Sequence, residues 1–496
     1  MEIVRTFSRL WGVFLVLAAG SLAAWGANPA YDPPSGYYDG TEELLGSNLQ
    51  SVLNGKIKGH RVLSYGSSGT VPALRVLDAM PGNSTQVNLI YWGTGRAGSS
   101  YGGSNGQWNH EHCWPQSFGV NSGAGNSDLF NLRPADVQAN GERGNLYYAE
   151  ISSGTVPAYA PLCRKTSVAW MPRSEEKGML ARAMFYMAVR YDGGEATPDL
   201  KLSDTPNAGA NTFGRLSDLL AWHRQYPVTE EERLRNHTIY TSYQLNRNPF
   251  VDDPDFAELV FRGVPVVHFA AVRTQAVEGG TGTSAAAVLI SRRGPVNNAL
   301  TVTLGYGGSA DPNVLAAAPV TVTIPAGSNA VEVTLAAAAN AGTQGNRTLT
   351  VATATSAAYA AVDEAITLTV TDAAESGLAS WAAGYGLSGA NAAAGEDPDG
   401  DGWSNAQEYA YGLVPNVAGG ELVKLAAGDK ITYLQRSGVT YVVRSATNLA
   451  GAFNGSVTPV KSSPQPGSLP VGYEQWEATL PDGDRGFLKV EATLPP

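Results

Sequence analysis

The sequence predicts a multidomain chain: an α+β unit with a strand, hairpin-return and helix (ββα) centre, then an all-β sandwich, an EF-hand-like loop and a small terminal β module. Three observations carry this expectation. A chain of 496 residues exceeds what one hydrophobic core supports. Most of the Trp, Tyr, His and Arg residues lie before about Val267, and beyond Gln275 the composition turns to Ala, Val, Thr and Gly with few charges. Finally, the stretch Asp397 to Glu408 repeats carboxylates and glycines at fixed spacing. The expected boundaries are 1–27, 28–268, 269–373, 374–420 and 421–496.

Residues 1–27 read as a secretory signal peptide. Arg5 and Arg9 precede an apolar run from Leu10 to Ala19 and small residues through Gly26, a run too short for a typical membrane span. No later segment is apolar enough to span a membrane, so a secreted or periplasmic chain is expected. In such an oxidising compartment the only two cysteines, Cys113 and Cys163, are expected to pair.

In the first unit, helical periodicity is clearest over Gly178–Arg190 and Leu216–Trp222, the latter with Ser217 or Asp218 as a possible cap. The run Trp108-Asn-His-Glu-His-Cys-Trp-Pro115 reads as a strand, on which His110 and His112 share one face and Glu111 takes the other. After a hairpin return, Pro134 suits a first helical turn, Asp136 complements the helix's positive end, and Asn140 lies about one and a half turns in.

Strand-like alternation recurs at Leu300–Leu304, Val320–Ile324, Val331–Leu335 and Ile366–Val370, which predicts an antiparallel sandwich of about 100 residues. The turn Ile324-Pro-Ala-Gly-Ser328, with Val277-Glu-Gly-Gly280 and Val370-Thr-Asp372, loosely resembles Calx-β repeats. In Asp397-Pro-Asp-Gly-Asp-Gly-Trp-Ser-Asn-Ala-Gln-Glu408, Asp397, Asp399 and Asp401 occupy loop positions 1, 3 and 5 of an EF-hand-like calcium loop. Gly402 stands at position 6, the Trp403 carbonyl at 7, Asn405 at 9 and Glu408 at 12, so a structural Ca²⁺ is expected. The segment resembles dockerin loops. Alternation at Ile431–Tyr433, Thr440–Val443 and Gly486–Val490 indicates the terminal β module.

Two chemistries fit the dense cluster. His110 and His112 would form an H-x-H zinc pair if a third ligand came from elsewhere. Alternatively, Glu111 and Asn140 would hold a hard divalent ion such as Mg²⁺ through oxygen, with His112 deprotonating a water.

The cluster resembles the bacterial endonuclease I family, secreted and periplasmic nucleases of the His-Me-finger (ββα-metal) class. Asn109, Glu111, His112, Trp114 and Pro115 match its signature, and the likeness continues through Asp128–Asn145, Lys177–Met187, Leu220–His223, Pro227-Val228, Arg235-Asn236 and Asn246–Phe250. The resemblance implies His112 as general base with Glu111 and Asn140 as metal ligands, and places His110 at a variable position, where His110→Ala is expected to be nearly silent. It also implies 5′-phosphate products. Phe130 stands where the family usually has His, and no clear match exists between Pro115 and Asp128 for a phosphate-steadying arginine, for which Arg133 and Arg143 are the candidates.

A net charge of -11 excludes a protein coated in positive charge, so a nucleic-acid substrate would meet a local basic cleft. The expectation is a secreted, metal-dependent endonuclease acting on DNA, with RNA as a further candidate substrate that the sequence does not decide, and with little sequence preference. Its C-terminal modules would serve as a tether to a cell surface or polymer. The rival is a non-catalytic adhesion or matrix protein retaining the fold.

Overall fold

In the computed structural model, residues 28–494 are described except 195–197, 208, 210, 280–281, 311–314, 339–345, 364, 372–376, 427–428, 447–452 and 481–485. The expected signal peptide lies outside the described residues.

The first unit is built around one helix buried on all sides. It is preceded by α1 (Gly46–Ile57), α2 (Thr70–Leu77) and an antiparallel pair of β1 (Asn83–Asn88) and β2 (Gly95–Ala97). Leu49, Leu53 and Ile57 recur on one face of α1 and join the main core, the stripe expected of an amphipathic helix. The ββα element follows: β3 (Trp108–His112) pairs antiparallel with β4 (Leu132–Asp136), His112 opposite Leu132, and α3 (Val137–Arg143) starts directly behind. The central helix α4 (Ser174–Arg190) then buries nearly every residue and packs against α5 (Leu216–Gln225) and α1. At Gly178 a Cβ would stand 2.2 Å from the Tyr226 carbonyl oxygen, so only glycine allows this approach. A further helix, α6 (Glu230–Thr238), ends its first turn under a Thr229 cap.

Three local expectations are corrected. Pro134 lies on β4 opposite His110 rather than in a helix, and Asp136 is the N-cap itself, its Oδ1 accepting from the amides of Gln138 and Ala139. Asn140 is therefore the fourth residue of α3. Neither Ser217 nor Asp218 caps α5. Ser217 instead bonds Asp204, and Asp218 accepts from the Glu150 amide.

The sandwich has one sheet ordered Ala330–Leu335, Ala286–Arg293, Val266–Arg273, Ala360–Ala361, facing another ordered Gln275–Val277, Ile366–Thr371, Arg347–Ala352, Gly305–Gly307. Its core includes Val288, Ile290, Leu335, Leu349, Leu368 and Val370. It is not wholly antiparallel, because Val266 pairs with Ala360 and Gln275 with Thr369 in parallel. The strand Val266–Arg273 also runs across the expected boundary at 268, with Val266 buried in the first unit's core and Val267 in the sandwich core. Ion pairs weld the same junction: His268 bonds Asp255 (2.8 Å) and Asp363 (3.2 Å), and Arg293 pairs with Asp253.

Residues 377–420 are more than a linker. Helices α7 (Leu378–Gly384) and α8 (Asn405–Tyr411) pack together through Trp381 and Tyr409, whose rings lie 5.5 Å apart. The terminal module is two antiparallel sheets around Ile431, Tyr433 and Val443. No helix among the described residues is long and apolar enough to cross a membrane.

Candidate active site

Alternation along β3 divides its side chains as expected. His110 and His112 lie under the ring of Tyr65, at centroid distances of 4.7 and 5.8 Å, whereas Glu111 meets Tyr91 and Arg143. His110 is a packed imidazole. One nitrogen bonds the Thr70 hydroxyl (2.9 Å) and the other the Tyr101 hydroxyl (3.1 Å), leaving no free lone pair for a metal. Burial, helped by neighbouring His112, pushes its pKa down to about 4. The zinc-pair reading therefore lacks its first ligand.

His112 is bonded through one nitrogen only. Its Nε2 lies 3.0 Å from the Asn126 carbonyl, which can only accept, so Nε2 carries the proton and Nδ1 keeps the lone pair. The Asn126 side chain is itself held by Gln116 at 2.7 Å. Burial lowers the pKa of His112 and so favours the neutral ring, partly opposed by the Asn126 contact. The arrangement suits a general base.

Glu111 is 1% exposed. Its Oε1 accepts from the Tyr91 hydroxyl (2.8 Å) and forms an ion pair with Arg143 (2.9 Å), while Oε2 is buried without a partner. Burial raises its pKa, and Arg143 and Tyr91 pull it back. Tyr91 reaches this position from a left-handed backbone, φ 76°, which a non-glycine residue holds only where its surroundings impose it. On α3, the Asn140 amide nitrogen donates to Asn109 Oδ1 and the His110 carbonyl, both at 2.9 Å, so Oδ1 is the atom left over. Glu111 Oε2 and Asn140 Oδ1 are each a hard oxygen donor of the kind that suits magnesium, which keeps several waters when bound.

The structure gives both candidate arginines partners within the fold. Arg143 is buried beneath the site, bonding the carbonyls of His112 (2.9 Å) and Cys113 (2.6 Å) besides Glu111, so it braces the strand end instead of meeting phosphate. Arg133 is held at 2.5 Å by Asp78, which also takes Arg235. The expected Cys113–Cys163 bridge is likewise absent: both thiols are free and buried, and Cys163 donates to the Tyr91 carbonyl.

Most remaining residues of the resemblance are scaffolding. Asp128 accepts from Tyr186, Tyr191 and Gln244; Asn131 and Trp114 exchange two hydrogen bonds across the hairpin base. Phe130 packs on Tyr186 with rings 4.5 Å apart. His223 bonds the Pro254 carbonyl, and Arg247 is wholly buried on Asp252. Sequence reasoning missed Tyr65, Tyr91 and Asn126. Only the unusual backbone at Tyr91 and the ring of Tyr65 carry any signal, and neither is visible without the fold.

A family profile for endonuclease I matches residues 46–255, the span holding Glu111, His112 and Asn140. Over 247 residues the chain is 43% identical to the extracellular ribonuclease of Bacillus subtilis (strain 168), covering 49% of this chain and 84% of that protein. The chain belongs to the endonuclease I family. The extracellular ribonuclease of Bacillus amyloliquefaciens is 44% identical over 229 residues, 45% of this chain and 78% of its own. The extracellular deoxyribonuclease of Aeromonas hydrophila is 30% identical over 151 residues, covering 28% of this chain and 58% of that protein. Among solved structures, the apo Calx CBD1 domain aligns with 22% of this chain and 97% of its own at 12% identity and a TM-score of 0.18, too low to bear on the sandwich.

Proposed function

We propose that this endonuclease I family member is a secreted, divalent-metal-dependent enzyme that hydrolyses phosphodiester bonds in both RNA and DNA with little base preference. The observation that carries the reading is the single-tautomer imidazole of His112, with the orphaned oxygen of Glu111 on the other face of the same strand. Relatives named for ribonuclease and for deoxyribonuclease activity support a backbone-directed reaction, since phosphate contacts carry no base information.

In this scheme Nδ1 of His112 takes a proton from water as its oxygen adds to phosphorus. The P–O3′ bond breaks, the 3′ oxygen takes a proton from solvent, and the imidazolium returns its proton to water. The Asn126 carbonyl accepts from Nε2 throughout, and Tyr65 keeps the ring in plane. Glu111 Oε2 and Asn140 Oδ1 are the atoms that would hold the cation, Asn109 keeping the amide turned that way. When bound, the cation supplies Lewis-acid stabilisation of the phosphate and the leaving oxygen.

The test incubates the purified chain with plasmid DNA and with structured RNA, with magnesium and with a chelator. Magnesium-dependent cleavage of both supports the proposal. Cleavage of one polymer alone removes its backbone-only character, and unchanged cleavage under chelation removes the metal.

A further inference from the structure

The loop at Asp397–Glu408 is not used by the nuclease reading. One carboxylate oxygen from each of Asp397, Asp399 and Asp401 lies within 4.8 Å of the others. Amide donors shape the turn: Gly400, Asp401 and Gly402 donate to Asp397, with Gly400 and Gly402 at φ 74° and 94°. Such a cluster alone could be a solvated turn. Glu408 is what distinguishes it.

The Glu408 side chain is fully buried, and neither of its oxygens has a hydrogen-bond partner; Asp399 Oδ2 is buried and unpartnered as well. Among the described residues, the charges that act on Glu408 are those of Asp399, Asp401 and Asp397. Burying an unpaired carboxylate is strongly unfavourable, and a divalent ion is the counter-charge that fits oxygen donors on every side.

We propose that this loop binds one calcium ion, and that the ion is a structural member of the C-terminal half, clamping α8 between two small cores. Three aspartates, the Trp403 carbonyl and a two-oxygen Glu408 supply six ligands, the number and flexibility calcium takes and magnesium's rigid octahedron resists. Asn405 serves partly as a clamp. Its Nδ2 donates to the carbonyls of Asn391 (2.8 Å) and Ala393 (2.9 Å), leaving only its buried Oδ1 to ligate.

Glu408 opens directly onto the residues that join the cores. Tyr409 packs with Trp381, whereas Ala410 and Tyr411 belong to the terminal module beside Ile431 and Tyr433. The Tyr473 hydroxyl donates to the Tyr409 carbonyl (2.6 Å), and Asp401 accepts from the Gly419 amide (2.8 Å). Losing the ion would leave Glu408 uncompensated at the point where both cores are joined. The nuclease unit has its own core and is not expected to respond.

The full chain is titrated with calcium chloride, and separately with magnesium chloride, while binding stoichiometry, thermal transitions and protease sensitivity near Tyr385–Gly420 are followed. Expected are one calcium per chain with a dissociation constant on the order of 10⁻⁴–10⁻³ M, an upward shift of a C-terminal transition, and protection from cleavage that equal magnesium does not give. Asp399→Asn and Glu408→Gln should each weaken calcium binding by roughly tenfold or more, with nucleic-acid cleavage unchanged. Absence of stoichiometric calcium binding, equal binding by both variants, or a thermal shift confined to the nuclease transition would overturn the proposal. If Glu408→Gln fails to fold, the isosteric Asp399→Asn variant and wild-type titration decide it.

Discussion

Glu111 and Glu408 are both buried glutamates carrying an unpartnered oxygen, yet their surroundings differ. Glu111 has Arg143 and the Tyr91 hydroxyl on its other oxygen, so the protein itself holds most of its charge. For Glu408, the charged groups acting on it among the described residues are aspartates. A site with its own counter-charge is built without any cation. One made of carboxylates alone depends on the ion for its structure. The ββα centre and the C-terminal loop are thus opposite solutions to placing a carboxylate in a protein interior.

Removing the proposed base gives the largest expected effect. His112→Ala should lower cleavage by roughly 10²–10⁴-fold in a chain that still folds, measured as initial rates on RNA and DNA. An active His112→Ala variant would end the scheme.

Arg143→Met tests the pre-built half of the comparison, since it strands Glu111 in the core. A loss of about 3–5 kcal/mol in the first unit is expected, read by denaturant unfolding. Glu408→Gln should behave in the opposite sense. In calcium it lowers the C-terminal transition, but in chelator it raises it, because it removes a charge that nothing balances. Destabilisation under both conditions would mean Glu408 has a partner of another kind.

His110→Ala is no longer expected to be silent. It removes two hydrogen bonds and a ring packed beneath Tyr65, a cost of about 2–4 kcal/mol, with cleavage reduced far less than in His112→Ala.

The pH dependence separates the nuclease core from its junction with the sandwich. His110 and His223 have pKa values pushed down to about 4 and about 3, largely by burial. Their contribution is present above the unfolded value of about 6.5 and lost as pH falls through the folded values. His268 is raised to about 10 by Asp255 and Asp363, which outweigh its burial, so its contribution is full below about 6.5 and lost as pH rises through about 10. Calorimetry at pH 5, 7 and 9.5 should show the first unit weakening in acid and the junction in alkali, with His268→Gln erasing the alkaline change. Smallest of all is Tyr65→Ala, where loss of a stacking contact worth about 0.5–1.5 kcal/mol should slow cleavage by roughly three- to tenfold.

How much of this was legible beforehand follows the range of the signal. Strand alternation alone separated His110 and His112 from Glu111, because side-chain period on a strand is local. The spacing of carboxylates and glycines over Asp397–Glu408 and the change of composition after Gln275 are equally short-range patterns; the first marked the turn where three aspartates converge, and the second marked the β-rich half. Tertiary structure decided the rest. Arg143 reads like any helix-end arginine until the fold places it under two carbonyls and a carboxylate. Asn126 acts through a backbone oxygen that every residue possesses, so its identity carries no trace of the role. The unit boundary passes through Val266–Arg273 because successive residues of one strand face different cores, and nothing within that strand's own sequence says which partner covers each face.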